Sequence, residues 1–389
     1  MSSSSIFDGL SLSRRDGIVE ISYPDRIHDY ARAAAFAQGA GLEVTRGPAE
    51  NWLLRYSAAD GYPRQVKEFF AQLNQLPPPF PPLDAAALAH GEPLVSCIVV
   101  LNENLPFVRE QLMPSLAENS RAHPIEIIIV CNGSVDYAPA LANVRGLRSE
   151  WGAVSKGYNA GARVSRGRLI AFFHDDCVVC DPLWIEKCRQ RLTGGAHAVA
   201  GEYRGIDRIA GLDVPRLPVA KCVPLVIHRS DFEEAGGFDE HHYIGYEDFD
   251  FTLALASRGR KLVATDIHIR HFNGMSSTLK YNPVPGLRDL YALAALPRQA
   301  ILRRFREFWR LGLVRDGINY TQMCSDAQLL YVLRKYHDFL AGLHASAYAE
   351  AEAALARSLA SGGVPDPDAM IARFRELDRE AGRTALATP

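Results

Sequence analysis

The chain has 389 residues, 48% hydrophobic and 23% charged, which is enough apolar mass for two or three packed domains and too much for a disordered chain. A formal net charge of -2 gives no global attraction for a polyanion, which argues against nucleic acid as a partner. The serine-rich start has no apolar core of signal-peptide length, and no run reaches the roughly eighteen apolar residues of a membrane span, so a cytoplasmic protein is expected.

Residues 1–82 read as a small α/β unit followed by a proline-rich linker. The alternation at Ile18–Ile21 predicts a strand and Arg26 to Gln38 a helix ended by Gly39. Strand-like pieces follow near Leu42 and Trp52, then a helix from Val66 to Leu73. Pro77-Pro78-Pro79-Phe80-Pro81-Pro82 is stiff and cannot continue a helix, and it marks the first domain boundary.

From Leu94 the pattern changes to short β-branched runs, VSCIVVL, IEIIIVC and RLIAFFHDD, separated by helical stretches. Continuously apolar strands alternating with helices predict a parallel sheet covered on both faces, in a domain over residues 93–275. Functional groups of such sheets lie just beyond the strand carboxyl ends, which singles out Asn102 to Asn104, Cys131 to Ser134 and His174 to Cys177. Seven cysteines, several inside apolar runs, read as reduced buried thiols. Cys177 and Cys180 have zinc-knuckle spacing without a second close pair, and read as small apolar residues at a strand end.

Residues 276–389 read as helical, with helices expected over 286–315, 325–360 and 367–382. The stretch Arg298 to Arg310 is basic and aromatic. Its Ile301, Phe305, Phe308 and Trp309 are expected to pack on the preceding domain while the arginines face water, with peripheral contact to an anionic membrane as the alternative.

The chemistry concentrates in two acidic clusters. Phe172-Phe173-His174-Asp175-Asp176 delivers adjacent carboxylates at a strand end, where hard oxygen ligands suit Mn2+ or Mg2+, although turns and helix caps use the same residues. Gly236 to Glu240, then Gly245-Tyr246-Glu247-Asp248-Phe249-Asp250, form the second cluster, followed by Arg270-His271. Glycosyl transfer with inversion needs a carboxylate to accept a hydroxyl proton and a metal to hold a leaving diphosphate, and these clusters offer both.

In this order and spacing, Pro93 to Gly274 resembles a family-2 glycosyltransferase of the GT-A fold, inverting and nucleotide-sugar dependent. The matching motifs are Pro93-Leu94-Val95-Ser96 with Asn102-Glu103, then IIIVCNGSVD, Lys156 to Ala162 running into the His-Asp-Asp strand, and the Gly-Gly-Phe-Asp-Glu to Glu-Asp-Phe-Asp block. The resemblance implies an α/β, Rossmann-like, mostly parallel catalytic domain. It implies Asp176 and His271 as metal ligands and Asp248 as catalytic base, with Glu247 as the neighbouring candidate. Asn102, Glu103, Asn132, Lys156, Asn159 and Asp175 would contact the donor, and Asp250 would cap or brace the following helix.

His174 departs from the pattern, standing where many relatives have an aspartate, and Cys131-Asn132 replaces acidic residues that face the base. An amide can still pair with a base edge, so the expected nucleotide is UDP, with dTDP or GDP as alternatives. The resemblance further implies a divalent cation, Mn2+ or Mg2+, a saccharide, lipid-linked or peptide acceptor, and a tail that shapes the acceptor site or a homo-oligomer contact. Two other functions compete: a sugar-phosphate nucleotidyltransferase, disfavoured because Leu101-Asn102-Glu103-Asn104 lacks a glycine-rich loop, and an inactive binding protein of the same fold.

Overall fold

The computed structural model describes residues 11–15, 18–24, 43–46, 51–57, 83, 88, 92–102, 105–133, 136–139, 141, 143–150, 153–243, 245–271, 314–315 and 318–387. Near the start, β1 (Ser11–Arg15), β2 (Ile18–Pro24), β3 (Glu43–Arg46) and β4 (Asn51–Ser57) pair antiparallel in the order β1-β2-β4-β3. The alternating Ile18–Ile21 and the pieces near Leu42 and Trp52 form strands as expected, whereas β1, SLSRR, has no apolar alternation to announce it. The helices expected at 26–38 and 66–73, Pro77–Pro82 and the basic stretch 298–310 lie outside the described residues.

The next elements alternate along the chain. They are β5 (Val95–Leu101), α1 (Met113–Asn119), β6 (Ile125–Cys131), β7 (Val144–Arg148), α2 (Val154–Val164), β8 (Leu169–His174), β9 (Cys177–Val179) and α3 (Trp184–Thr193). A long hairpin, β10 (Ala198–Ile209) and β11 (Leu212–His228), precedes α4 (Arg229–Ala235), α5 (Glu247–Ser257), β12 (Leu262–Ala264) and β13 (Ile269–His271). The main sheet has the order β12-β10-β11-β8-β5-β6-β7, and β11 alone runs against its neighbours, so the sheet is mostly parallel as expected.

The continuous apolar runs are explained by burial on two sides. Val95, Cys97 and Val99 of β5 join Ile125, Ile127 and Ile129 of β6 in one core, while Ile98, Val100, Ile128 and Val130 join a second on the opposite face. On the second face α2 lies unusually close to β5. A Cβ on Gly157 would stand 2.8 Å from Val100 Cγ2, and one on Gly161 2.5 Å from Ile98 Cγ2, so these glycines serve helix-to-sheet packing.

The C-terminal region is helical, with α6 (Tyr320–Lys335), α7 (His337–Ser361) and α8 (Pro367–Ala387) after a short pairing of Val314–Arg315 with Ile318–Asn319. The single helix expected over 325–360 is instead broken at Tyr336 and kinked again at His344, whose backbone is extended (φ -162°, ψ 84°). Uniform helical propensity hid the break, because Tyr336 leaves the helix to donate its hydroxyl to the Asp250 carbonyl at 3.2 Å. Leu329, Leu330, Leu333, Phe374 and their neighbours pack with Tyr243, Phe249 and Leu253 in a third core, which ties this region to the sheet domain. Among the described residues no helix is long and apolar enough to cross a membrane.

Candidate functional site

Parallel registers align the carboxyl ends of β5, β6 and β8. Leu101 pairs with Cys131 and Val100 with His174, so Asn102, Asn132 and His174 to Asp176 leave one edge of the sheet together. The Asn102 N–H donates to Asp175 Oδ2 at 3.3 Å, which joins the first and third of these ends. Asn102 Oδ1 and both polar atoms of the Asn132 side chain are buried with no hydrogen-bond partner among the described residues. A buried amide left so is expensive unless something polar meets it. Gly133 closes tightly against this pair, since a Cβ there would stand 2.0 Å from Asn102 O.

β13 brings in the distant histidine. It pairs antiparallel with β9, matching His271 with Cys177, directly after the acidic turn. His271 Nε2 lies 3.3 Å from Asp176 Oδ1 and 3.2 Å from His174 Nδ1, and the His271 and Asp176 side chains are only 1% and 6% exposed. The three ligand atoms lie within 4.8 Å of one another, a donor set of two imidazoles and one carboxylate that fits a divalent cation. The expected ligands Asp176 and His271 are thus in contact, and His174 joins them.

The second acidic cluster starts α5. Gly245 and Tyr246 take left-handed backbone angles, φ 76° and 63°, before the helix begins at Glu247. For tyrosine this is a strained conformation, held by packing and by a 3.2 Å contact between its hydroxyl and Ser325 Oγ. Glu247 is buried, its Oε2 has no partner among the described residues, and Asp248 is half-buried. Burial, reinforced by the adjacent Asp248 charge, pushes the Glu247 carboxyl up to about 8. The buried Tyr158 hydroxyl of α2, which donates to Phe173 O at 3.1 Å, has its acidity suppressed by burial and by the charges of both Glu247 and Asp175. The two clusters therefore lie within electrostatic reach of one side chain.

Three expectations need correction. Asn159 is not available to a donor: its amide donates to Phe238 O at 2.9 Å and Glu240 Oε1 at 3.0 Å and accepts from Phe238 N at 3.0 Å, which spends it on holding the Gly-Gly-Phe-Asp-Glu turn. Lys156 is committed to Glu150, which also binds Arg379 of α8. Asp250 lies inside α5 rather than before it, so it is no cap; it braces instead the Lys335 ammonium, at 2.8 and 3.0 Å. Glu103 lies outside the described residues.

Lys335 also donates to Asp239 Oδ2 at 2.7 Å, as Tyr331 does at 2.8 Å. Burial alone would raise the Asp239 carboxyl, but these donors and the His241 N–H bring it down to about 2. Asp239, His242 and Asp250 form a second acidic group, and Lys335 already supplies its cation. No motif announces this partner, which stands far along the chain in a helix of ordinary composition.

A family model described as glycosyl transferase family 2 matches residues 97–252. Over 278 residues the chain is 24% identical to the O-antigen biosynthesis protein RfbC of Myxococcus xanthus, covering 60% of this chain and 21% of that protein. The chain thus spans about a fifth of that relative's length. Among solved structures, S. aureus TarS 1-349 is similar at 15% identity and TM-score 0.39, over 75% of this chain and 91% of that one. The mannosyltransferase PcManGT from Pyrobaculum calidifontis, in complex with GDP-Man and Mn2+, is similar at 14% identity and TM-score 0.37, over 92% of this chain and 98% of that one.

Proposed function

We propose that the protein moves a sugar from a nucleoside-diphosphate sugar to an acceptor hydroxyl with inversion, a reading supported by the match of residues 97–252 to the glycosyl transferase family 2 model. The observation that carries this reading is the meeting of Asn102, Asn132 and the Asp175-Asp176 turn at one edge of the sheet, with His271 Nε2 set 3.3 Å from Asp176 Oδ1.

Asn102 and Asn132 would meet the nucleotide, since their buried amide atoms require a polar partner and an amide both donates and accepts. Asp175, fixed by the Asn102 N–H, would face the donor sugar. Asp176 and His271 would hold a divalent cation, Mn2+ or Mg2+, whose chemistry is to neutralise a departing diphosphate. Asp248, the accessible carboxylate of its pair, would accept the proton of the acceptor hydroxyl. The new bond from that oxygen forms at the anomeric carbon as the bond to the diphosphate breaks on the opposite face, and the electron pair leaves with the diphosphate. Glu247, protonated at neutral pH by its burial, would orient rather than deprotonate.

The matched relative is named for O-antigen biosynthesis, which supports a saccharide or glycolipid acceptor. UDP-, dTDP- and GDP-sugars are the donors to try. The test is hydrolysis of these donors in the presence of Mn2+ by the full chain and by Asp176→Ala. Turnover that falls sharply in the variant is expected; equal turnover by both proteins would sink the reading in favour of an inactive binding protein.

A further inference from the structure

The His174 side chain occupies a position that the metal-site expectation leaves out. His271 Nε2 is 3.2 Å from His174 Nδ1 and 3.3 Å from Asp176 Oδ1. One ring nitrogen cannot serve both neighbours fully. With a proton it donates to Asp176 and leaves the bare His174 nitrogen to share that proton; without one it accepts from His174 and faces Asp176 lone pair to lone pair. A cation bound by all three atoms, which lie within 4.8 Å of one another, would settle that competition. Donors bound to one ion at about 2.0–2.2 Å and adjacent in its coordination sphere stand about 3 Å apart, which is the spacing found here.

We propose that His174 is a third protein ligand, making the centre a two-histidine, one-carboxylate site that takes a transition metal ion in preference to Mg2+. The proposal rests on the donor-binding reading above only in supposing that a cation belongs at Asp176. Imidazole nitrogen suits iron, nickel and zinc, and affinity at such mixed nitrogen and oxygen sites rises from Mn2+ through Co2+, whereas Mg2+ demands oxygen ligands and gives up its water reluctantly. A carboxylate in place of His174 would supply a hard oxygen and erase the preference. The histidine is well placed for the task because β8 delivers it beside β5, with Val100 as its register partner, and its ring meets that of His271 edge to face at 5.1 Å.

The experiment is calorimetric titration of the full chain with Mn2+, Co2+ and Mg2+, alone and without donor, together with pulsed electron paramagnetic resonance of bound Mn2+ to count coordinated nitrogens. The wild type is expected to bind Mn2+ and Co2+ at least about tenfold more tightly than Mg2+ and to show two nitrogens. His174→Asp is expected to lose about tenfold or more in Co2+ affinity, to show one nitrogen and to bring Mn2+ and Mg2+ affinities together. One nitrogen in the wild type, or unchanged affinities in a folded His174→Asp, would overturn the proposal. Should that variant fail to fold, the wild-type nitrogen count decides alone. Two nitrogens without donor hydrolysis would uphold this site while sinking the transferase reading, and hydrolysis with one nitrogen would do the reverse.

Discussion

The ammonium of Lys335 in α6 lies 2.8 Å from the buried Asp250 carboxylate in α5, three residues after the Glu247-Asp248 pair begins its helix. The same ammonium reaches Asp239 at 2.7 Å, so one lysine of the C-terminal region fastens both parts of the second acidic cluster. Removing it would strand Asp250, whose side chain is 2% exposed, beside a second carboxylate. Lys335→Met is expected to destabilise the fold by about 2–3 kcal/mol, somewhat less than a fully buried pair because the lysine is partly exposed. Urea denaturation measures it, and a loss under about 0.5 kcal/mol would show that the contact is not an anchor. Asp239 is depressed from 3.8 to about 2, so its contribution is present above the ordinary value and fades as pH falls toward the lower one. The variant should lose that acid sensitivity as well.

The neighbouring carboxylates of α5 are expected to respond differently to neutral isosteres. Asp248→Asn removes the proposed proton acceptor, and kcat should fall by about 10²–10⁴ with little change in donor KM. Glu247→Gln replaces a group already protonated at neutral pH, and activity near pH 7 should stay within about fivefold of the wild type. Steady-state kinetics on both variants check the assignment. If Glu247→Gln loses as much as Asp248→Asn, the roles of the two are exchanged.

The strands were legible because burial on both faces writes itself as unbroken β-branched runs: β5, β6 and β8 were all announced by VSCIVVL, IEIIIVC and RLIAFF. Strand-end logic then pointed to Asn102, Asn132 and Asp176, which do share one edge. What stayed hidden depends on partners distant in the chain. Asn159 in a glycine-bearing helix start looks the same whether it meets a donor or the Phe238 backbone, and only the fold shows the latter. His174 likewise looks like a lost aspartate until β13 sets His271 against it. The long β10–β11 hairpin was also missed, because VPRLPVAKCVP interrupts its apolar pattern with prolines and charges.

Glu247 should leave a mark on the pH dependence of folding. Its carboxyl is raised from 4.5 to about 8, so between those values the folded protein holds a proton that the unfolded chain releases. Its favourable contribution is complete below the lower value, declines as pH rises through the window, and is gone above the upper one. Chemical denaturation at about pH 5 and about pH 9 should therefore show a fall in stability that Glu247→Gln flattens. An identical slope in the variant would assign the decline to other groups.

The strand-end amides give a test in which stability and binding part company. Both polar atoms of Asn132 are buried without a partner among the described residues, so Asn132→Ala removes an unmet desolvation penalty rather than a hydrogen bond. The melting temperature should hold or rise, because little more than the amide group is deleted. Affinity for the nucleotide that this amide meets should fall about tenfold, as expected when one good hydrogen bond to a ligand is lost. Gly133→Ala is the contrasting case. Its Cβ would stand 2.0 Å from Asn102 O and 2.5 Å from Asn102 Oδ1, backbone and side chain that cannot both withdraw without moving the end of β5. That variant should lose about 1–3 kcal/mol of stability and nucleotide affinity together. Thermal melting and calorimetric titration with UDP, dTDP and GDP read both quantities. Asn132→Ala that melts early while binding every nucleotide as well as the wild type would make Asn132 a structural residue and move the base elsewhere.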